Sequence, residues 1–219
     1  MNPEIVTAIE EKTGIELGNA TSQAVGGGCI NDSQIVVGET GERLFVKFNH
    51  AEQLDMFEAE EAGLADLAAA EAIRTPKPLG SGLVAGKAFL ALEALEPVGG
   101  GNSETLGREL ADLHRNTTPE FGWRRDNYIG ATPQPNPWAD SWGEFFAEQR
   151  LEFQFKLAAK KGRHFQGSQQ LLDRVPELVE SHQPSASLLH GDLWGGNASF
   201  DSTGRPVIFD PAVYYGDRE

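Results

Sequence analysis

The chain has 219 residues and a formal net charge of −15, from 18 Lys and Arg against 33 Asp and Glu. This acidic balance argues against nucleic acid or an anionic membrane as a partner, and no apolar run is long enough to span a membrane. The one cysteine, Cys29, excludes an intramolecular disulfide and fits a reducing compartment. Residues 1–4 show neither the basic nor the apolar segment of a signal peptide. We therefore expect a cytoplasmic protein, whose oligomeric state the sequence leaves open.

The N-terminal part predicts a short helix followed by strands. Residues 4–12 carry apolar side chains at helical spacing and stop before Gly14, which indicates an amphipathic helix with a glycine cap. Strand candidates follow at residues 20–25, 30–37 and 44–48, with glycine-containing turns between them. This order predicts a small sheet built from strands that are close in the sequence.

A glycine run between the first two strand candidates is a candidate phosphate-binding turn. The backbone amides of Gly26, Gly27 and Gly28 could approach the phosphates of a nucleotide, with the Lys47 ammonium beside them. The run lacks the full G-x-G-x-x-G spacing, and hairpin turns often use glycine for other reasons. Cys29 follows on the same turn, where a thiol could give redox control or simply be a small turn residue.

A long helix is predicted from residue 52 to residue 70, where Ala, Glu and Leu are abundant and apolar side chains recur at helical spacing. This helix carries three neighbouring acidic residues, Glu58, Glu60 and Glu61. A kinase-type Lys needs one Glu of this helix as its ion-pair partner. The pattern supplies candidates for Lys47 without choosing among the three.

The middle of the chain predicts one more strand, a boundary and then helices. Residues 96–102 contain three glycines and a proline, which is typical of a connection between lobes. Residues 121–138 form a second connection rich in Pro and Gly, and a loop of this length inside a compact domain is usually functional. The predicted elements are a strand at 88–92 and helices at 105–116, 140–161 and 168–181.

The residues that carry chemistry are at 190–197, His-Gly-Asp-Leu-Trp-Gly-Gly-Asn. Asp192 could accept a hydroxyl proton, and Asn197 could hold a metal, with the spacing of a kinase catalytic loop. Two short strands joined by a turn follow and would bring Asp210 beside Asn197 as a second magnesium ligand. A tight loop with a capping Asp and a turn Asn is the alternative, but position, order and spacing together favour phosphoryl transfer.

This motif, with Asp-Pro-Ala at 210–212 and Tyr-Tyr-Gly-Asp-Arg-Glu at 214–219, resembles that of the fructosamine kinase, or ketosamine 3-kinase, family. The family belongs to a larger group of aminoglycoside phosphotransferase-like kinases. The resemblance covers essentially the whole chain and implies an α+β, two-lobed protein-kinase-like fold. Its N-terminal lobe would be an antiparallel sheet plus a helix, and its C-terminal lobe mainly helical. Family members usually continue beyond Gly-Asp-Arg-Glu, so we expect a chain truncated at its C-terminus.

The resemblance also implies how the chain is divided. Residues 1–95 would be the nucleotide-binding lobe, and residues 96–219 the catalytic and acceptor-binding lobe. The hinge would be Glu93, Ala94 and Leu95, whose backbone C=O and N–H groups would bind the adenine edge.

The implied activity is ATP-dependent phosphorylation of the 3-hydroxyl of a ketosamine, a fructosamine or ribulosamine adduct of a metabolite or of a protein lysine. This reaction is a deglycation step. Asp192 would be the catalytic base, and Asn197 and Asp210 would hold Mg²⁺. Lys47 would bind the α- and β-phosphates, and the family pattern favours Glu60 as its partner. Gly191 stands where protein kinases carry Arg, so no switch by activation-loop phosphorylation is expected.

Two alternatives stay open at this point. A related kinase for an aminoglycoside, choline or another amino alcohol would share the motif, and a catalytically impaired nucleotide-binding protein is the second alternative. The residues after Trp194 and the 121–138 connection favour ketosamines. Aromatic side chains such as Trp123, Tyr128 or Trp194 would either contact the substrate or anchor the connection to the core.

Overall fold

The computed structural model describes residues 1–26, 30–96, 100–179 and 181–219. The contacts within it divide the chain into two compact units, each made of two stretches. The first unit is Met1–Leu110 with Leu193–Pro211, and the second is Ala111–Asp192 with Ala212–Glu219.

This division differs from the one predicted at residue 95, because residues 193–211 belong to the first unit. The Ile208 N–H donates to the Arg74 C=O at 3.0 Å, and Arg74 forms a parallel β-bridge with Val207. Because the chain folds back in this way, a single cut does not separate the two units. The assignment of the two predicted lobes to nucleotide and acceptor binding stays a prediction.

The first unit is built on a five-stranded antiparallel sheet. Its strands are β1 Thr21–Val25, β2 Asp32–Val37, β3 Arg43–His50, β4 Pro78–Val84 and β5 Lys87–Glu93, in the order β1-β2-β3-β5-β4. In β3, Leu44, Val46 and Phe48 alternate along the strand and are buried in the core. Lys47 lies between two of them and therefore points to the opposite face of the sheet.

Two helices pack on this sheet. α1, Pro3–Thr13, is capped by the Asn2 side chain and ends at Gly14, whose φ is 70°. α2, Leu54–Ala69, follows a 3₁₀ turn at Ala51–Gln53 and packs on β4 and β5. The core shared by α1 and the sheet includes Val6, Ile9, Leu17, Val36, Val46 and Phe89.

The elements that remain are shorter. α3, Ser103–Leu113, crosses from the first unit into the second. The first unit is completed by a hairpin of β10, Ala198–Phe200, and β11, Pro206–Ile208. The strands of the second unit are β6 Thr117–Thr118, β7 Asn127–Ile129, β8 Thr132–Gln134, β9 Ala186–Leu189 and β12 Tyr214–Gly216. Its helices are α4 Trp142–Phe145, a π-helical turn Phe146–Glu152, α5 Phe153–Lys160 and α6 Ser168–Val179.

An aromatic core holds the second unit together. Phe121 and Phe145 are buried, and the Trp142 ring lies 5.5 and 5.9 Å from them between centroids. The three-stranded antiparallel sheet β12-β9-β6 borders this core through Ala186 and Tyr214. Trp142 and Phe145 of the predicted helix thus pack in this core, whereas Phe153 and Phe155 further along it are only partly buried.

The structure corrects two element predictions in the second unit. The 121–138 connection contains the β7–β8 hairpin, which turns through Gly130 at a φ of 58°. Strands of three residues, one containing a proline, leave little pattern to detect. The helix predicted at 140–161 is interrupted by the π-helical turn.

In the part of the chain that the structure describes, no helix has the length and apolar character needed to cross a membrane. A cytoplasmic location stays a prediction.

Candidate active site

In the first unit, one ammonium group joins two carboxylates. Lys47 Nζ lies 2.6 Å from Glu60 Oε1 and 2.6 Å from Asp210 Oδ1. The Lys47 and Glu60 side chains are 5% and 11% exposed, whereas that of Asp210 is 50% exposed. Of the three candidate glutamates the structure therefore places Glu60 beside Lys47, while Glu61 accepts a hydrogen bond from a hydroxyl on β4 and Glu58 is exposed. We call Lys47, Glu60 and Asp210 the ionic group.

Burial and charge act in opposite directions on the ionic group. Burial lowers the pKa of the Lys47 ammonium, but the negative charges of Glu60 and Asp210 outweigh it, and the pKa is raised above its ordinary value. Burial raises the pKa of Glu60, and the Lys47 charge opposes that effect. Lys47 therefore keeps its positive charge at neutral pH, which is the state that binds phosphate.

Asn197 and Asp210 lie at the two ends of the β10–β11 hairpin. The Phe209 N–H donates to the Asn197 C=O at 3.1 Å, and Asn197 Nδ2 donates to the Asp210 C=O at 3.5 Å. Asp210 has a left-handed backbone, with a φ of 57°, which is uncommon for a residue other than glycine. The structure thus brings together the two residues predicted to bind metal.

Asp192 lies in a short loop of the second unit that follows β9. His190 is buried, and its Nδ1 accepts a hydrogen bond from the Asp192 N–H at 3.4 Å. The Ala212 N–H donates to the His190 C=O at 2.9 Å. Gly191 has a φ of 81°, and a Cβ there would lie 1.9 Å from the carbonyl oxygen of Ala212. With this backbone, position 191 accommodates only glycine, which accounts for the departure from the protein-kinase motif.

Three buried amide side chains fix the segment on which this loop rests. Gln134 Nε2 donates to Asn127 Oδ1 at 2.8 Å and to the Ala212 C=O at 3.0 Å. Asn127 Nδ2 donates to the Val213 C=O at 2.7 Å, and Asn136 Nδ2 donates to Asn127 Oδ1 at 3.0 Å. We call Asn127, Gln134 and Asn136 the amide cluster. Sequence reasoning missed it, because amides spaced irregularly in a loop form no pattern.

Arg150 anchors the same connection from its other side. Its guanidinium carbon lies 4.6 Å from the Phe145 ring centroid and 4.2 Å from that of Tyr214. It donates to the Pro135 C=O and to Asn136 Oδ1, each at 2.7 Å. Burial lowers the pKa of Arg150, although it remains a cation at neutral pH. The 121–138 connection is therefore held firmly, and its buried Trp123 serves as an anchor.

The chain matches the model of the fructosamine kinase family over residues 1–219. The chain belongs to the fructosamine kinase family. A Synechocystis protein named probable ketoamine kinase is 46% identical over 219 residues, which cover 98% of this chain and 74% of that protein. A chloroplastic protein-ribulosamine 3-kinase of Arabidopsis thaliana is 40% identical over 203 residues, or 90% of this chain and 62% of that protein.

Solved structures agree with this membership. The crystal structure of a Haemophilus somnus protein assigned as a fructosamine-3-kinase superposes with a TM-score of 0.89 at 30% identity. The superposition covers 98% of this chain and 73% of that one. The expected family and the expected α+β, protein-kinase-like fold are thereby confirmed, as is the expectation of an ATP-using kinase.

The residues of this fructosamine kinase family member suit a magnesium ion. Asn197 offers an amide oxygen and Asp210 a carboxylate, the hard oxygen donors that Mg²⁺ prefers. Within the described ranges, no cluster of three or more His, Cys, Asp and Glu side chains forms a self-contained metal site. Two protein oxygens completed by phosphate and water are the usual arrangement for a kinase magnesium.

The predicted hinge follows β5, and part of it is already bonded. The Glu93 N–H donates to the Lys77 C=O at 2.9 Å, and the Glu93 carboxylate accepts from Arg74 at 2.8 Å. These bonds fix Glu93 in the sheet, and its N–H is already used as a donor to the Lys77 C=O. Adenine binding through the backbone of Glu93, Ala94 and Leu95 stays a prediction. The backbone C=O and N–H groups other than the Glu93 N–H would have to form the hydrogen bonds to adenine.

The other predicted site residues fall into two groups. Gly26 directly follows β1, whereas Gly27, Gly28 and Cys29 lie outside the described residues, so phosphate binding by the turn and redox control stay predictions. Trp194 is 65% exposed, and a Cβ on the following loop glycine, Gly196, would lie 2.2 Å from its ring. The indole therefore lies directly over a glycine backbone and offers its surface to solvent. Its contact with substrate stays a prediction.

Proposed function

We propose that this member of the fructosamine kinase family transfers the γ-phosphoryl group of ATP to the 3-hydroxyl of a ketosamine. The observation that carries the proposal is the buried Lys47 ammonium between Glu60 and Asp210. Burying a charge costs free energy, and a buried lysine paired with two carboxylates is therefore a candidate functional residue. Phosphoryl transfer needs this combination of a fixed cation, the Glu that holds it and a metal-binding Asp.

The nucleotide would be held by charge and by backbone groups. Lys47 would bind the α- and β-phosphates while Glu60 keeps the ammonium in place. The amides of the glycine turn, Gly26 to Gly28, would add donors to the phosphates. Asn197 and Asp210 would hold Mg²⁺. When bound, the ion neutralises the negative charge on the β- and γ-phosphates during transfer.

Asp192 would act on the acceptor. Its carboxylate would orient the 3-hydroxyl and accept the proton as the hydroxyl oxygen bonds to the γ-phosphorus and the bond to the ADP oxygen breaks. The products are a 3-phosphoketosamine and ADP, and the proton passes from Asp192 to solvent. Gly191 and the amide cluster would keep this carboxylate in place, since positioning supplies much of the rate in such reactions.

Two features support a ketosamine as the acceptor. A relative that is 40% identical bears the name protein-ribulosamine 3-kinase, and the family itself is named for fructosamine. Trp194 is exposed and would cover the sugar part of the acceptor.

The test is ADP release from MgATP with and without a small ribulosamine or fructosamine. We expect release to require the ketosamine and to fall about 10³-fold or more in Asp192→Ala, because the base and its orienting hydrogen bond are lost. Asp140→Ala, an exposed Asp of the same unit, is the matched control and should behave as wild type. Phosphorus NMR of the product identifies the phosphorylated hydroxyl.

Other outcomes of the same assay would replace the proposal. Release that needs an aminoglycoside or choline and ignores ketosamines would identify a related amino-alcohol kinase. Binding of MgATP without turnover on any of these acceptors would identify a nucleotide-binding protein.

A further inference from the structure

Arg74 lies between the end of β5 and the β10–β11 hairpin. Its Nη2 donates to Glu93 Oε1 at 2.8 Å, and its Nη1 donates to Asp201 Oδ2 at 2.9 Å. Glu93 is the last residue of β5, and Asp201 follows β10 directly in the turn of the hairpin. One planar guanidinium therefore joins two carboxylates from separate parts of the first unit.

The main chain of Arg74 binds the same hairpin. Its C=O accepts from the Ile208 N–H at 3.0 Å, beside the β-bridge to Val207. The side chain thus holds the turn of the hairpin while the backbone holds β11. Changing the side chain leaves the backbone contact available, so the two can be separated by mutation.

Asp201 divides its two oxygens between the turn and Arg74. Oδ1 accepts from the Thr203 N–H at 2.9 Å, from the Thr203 hydroxyl at 2.6 Å and from the Arg205 N–H at 3.1 Å. Oδ2 accepts from Arg74, and the side chain is only 8% exposed. The turn is therefore fastened to Arg74 by an ion pair in which the Asp201 side chain is buried and the Arg74 side chain is 33% exposed.

The hairpin fastened in this way carries Asn197 and Asp210 at its two ends. Each of its strands has three residues, and an isolated two-stranded hairpin is marginally stable. Its position relative to Lys47 must therefore come from contacts with the rest of the first unit. We propose that Arg74 is a positioning residue, which sets the place of the metal ligands through Asp201 and ties them to the hinge strand through Glu93. This inference rests on the proposed function only in taking Asn197 and Asp210 as magnesium ligands.

The test measures nucleotide binding, so that it does not depend on the acceptor. Binding of the non-hydrolysable analogue AMP-PNP to the full chain is followed by calorimetry in excess MgCl₂ and in EDTA. For Arg74→Ala we expect affinity to fall about five-fold or more in MgCl₂ and less than about two-fold in EDTA, because only the metal-dependent part relies on the hairpin. Asp201→Asn should repeat this pattern, since it removes the charge that Arg74 holds and keeps the side-chain size.

Two further variants make the result specific. Arg43→Ala removes an exposed ion pair with Glu96, which lies close to Glu93 in the chain, and should leave both affinities unchanged. Arg74→Lys can reach one carboxylate at a time and should give an intermediate loss in MgCl₂. Melting temperatures of all variants, taken without nucleotide, report whether the fold is intact.

The proposal is overturned if Arg74→Ala and Asp201→Asn weaken binding equally in MgCl₂ and EDTA, which would indicate an effect on the hinge alone. Unchanged affinities in both variants would overturn it as well. If Arg74→Ala does not fold, Asp201→Asn and Arg74→Lys decide the question. A chain that shows the metal-dependent loss but no ketosamine turnover would support the role of Arg74 while removing the proposed function.

Discussion

The ionic group of the first unit and the amide cluster of the second bury polar side chains in different ways. Lys47 and Glu60 form a buried ion pair, and such a pair contributes little net stability because desolvation offsets the attraction. Asn127, Gln134 and Asn136 are neutral and form hydrogen bonds with one another and with three backbone carbonyls, which does contribute stability. Under the proposed function, the buried charges would bind phosphate, whereas the neutral amides fix the backbone.

The largest effect should come from removing charge while keeping shape in the ionic group. In the double variant Lys47→Met with Glu60→Gln, we expect kcat/KM for the proposed reaction to fall about 10³-fold or more, because the phosphates lose their fixed cation. The melting temperature should change by only a few degrees, since neutral replacement of a buried pair is often tolerated. ADP-release kinetics and thermal unfolding give the two values. The control is the double variant Lys87→Met with Glu58→Gln, which replaces two exposed charged residues. A large loss of stability with activity retained would show that the ionic group stabilises the fold and does not serve the reaction.

Displacing the catalytic loop should have the next largest effect. Gly191→Ala forces a Cβ against the Ala212 carbonyl, and the resulting shift of Asp192 should lower kcat about 10²-fold. Gly195→Ala is the matched control, because its Cβ would meet no atom within 4 Å. Steady-state kinetics of both variants is the measurement. Equal kcat values in the two variants would show that the contact with Ala212 does not position the loop.

Breaking the amide cluster should act on stability first. Asn127→Ala removes the donor to the Val213 carbonyl and the Oδ1 acceptor that Gln134 and Asn136 share, and we expect a loss of about 2 to 4 kcal/mol in the free energy of unfolding. Urea unfolding followed by tryptophan fluorescence measures this loss. Gln154→Ala, an exposed amide in the same unit, should cost far less. Similar losses in both variants would mean that the cluster is not a source of stability.

The smallest effect concerns acid stability. The Thr203 hydroxyl, with backbone N–H groups and Arg74, lowers the pKa of Asp201 to about 2. Because the folded pKa lies below the unfolded one, ionised Asp201 stabilises the fold above about pH 4, and this contribution is lost as pH falls towards 2. Asp201→Asn should therefore lose stability at neutral pH and show a flatter decline between pH 4 and 2. Acid titrations of unfolding, with the exposed Asp32→Asn as control, test this, and parallel curves for wild type and Asp201→Asn would contradict it.

Much of the first unit, and the loop from Asp192 that leads back into it, could be predicted from the sequence. Alternating apolar residues place Lys47 on a strand, helical spacing predicts α2, and the spacing from Asp192 to Asn197 indicates the catalytic loop. The contact between Asn197 and Asp210 also follows from two short strands joined by one turn. These features depend on local pattern, which is what a sequence shows directly.

The parts that could not be predicted depend on long-range contacts. Arg74 meets its two carboxylates at separations of 19 and 127 residues, and nothing in the local sequence distinguishes it from a surface arginine. The amide cluster joins residues of a hairpin to a segment 78 and 86 residues further on. Such contacts are set by tertiary packing and leave no periodic pattern in the sequence.

The close packing of Gly191 against Ala212 bears on how regulation could evolve in this enzyme. Gaining an Arg at position 191, as protein kinases have, would require the Ala212 carbonyl to move in the same step, because a Cβ would come within 1.9 Å of it. A path of single substitutions would therefore include a variant in which Asp192 is displaced. A phosphorylation switch built on an Arg at this position would therefore need two coordinated mutations, one at residue 191 and one that moves the Ala212 carbonyl.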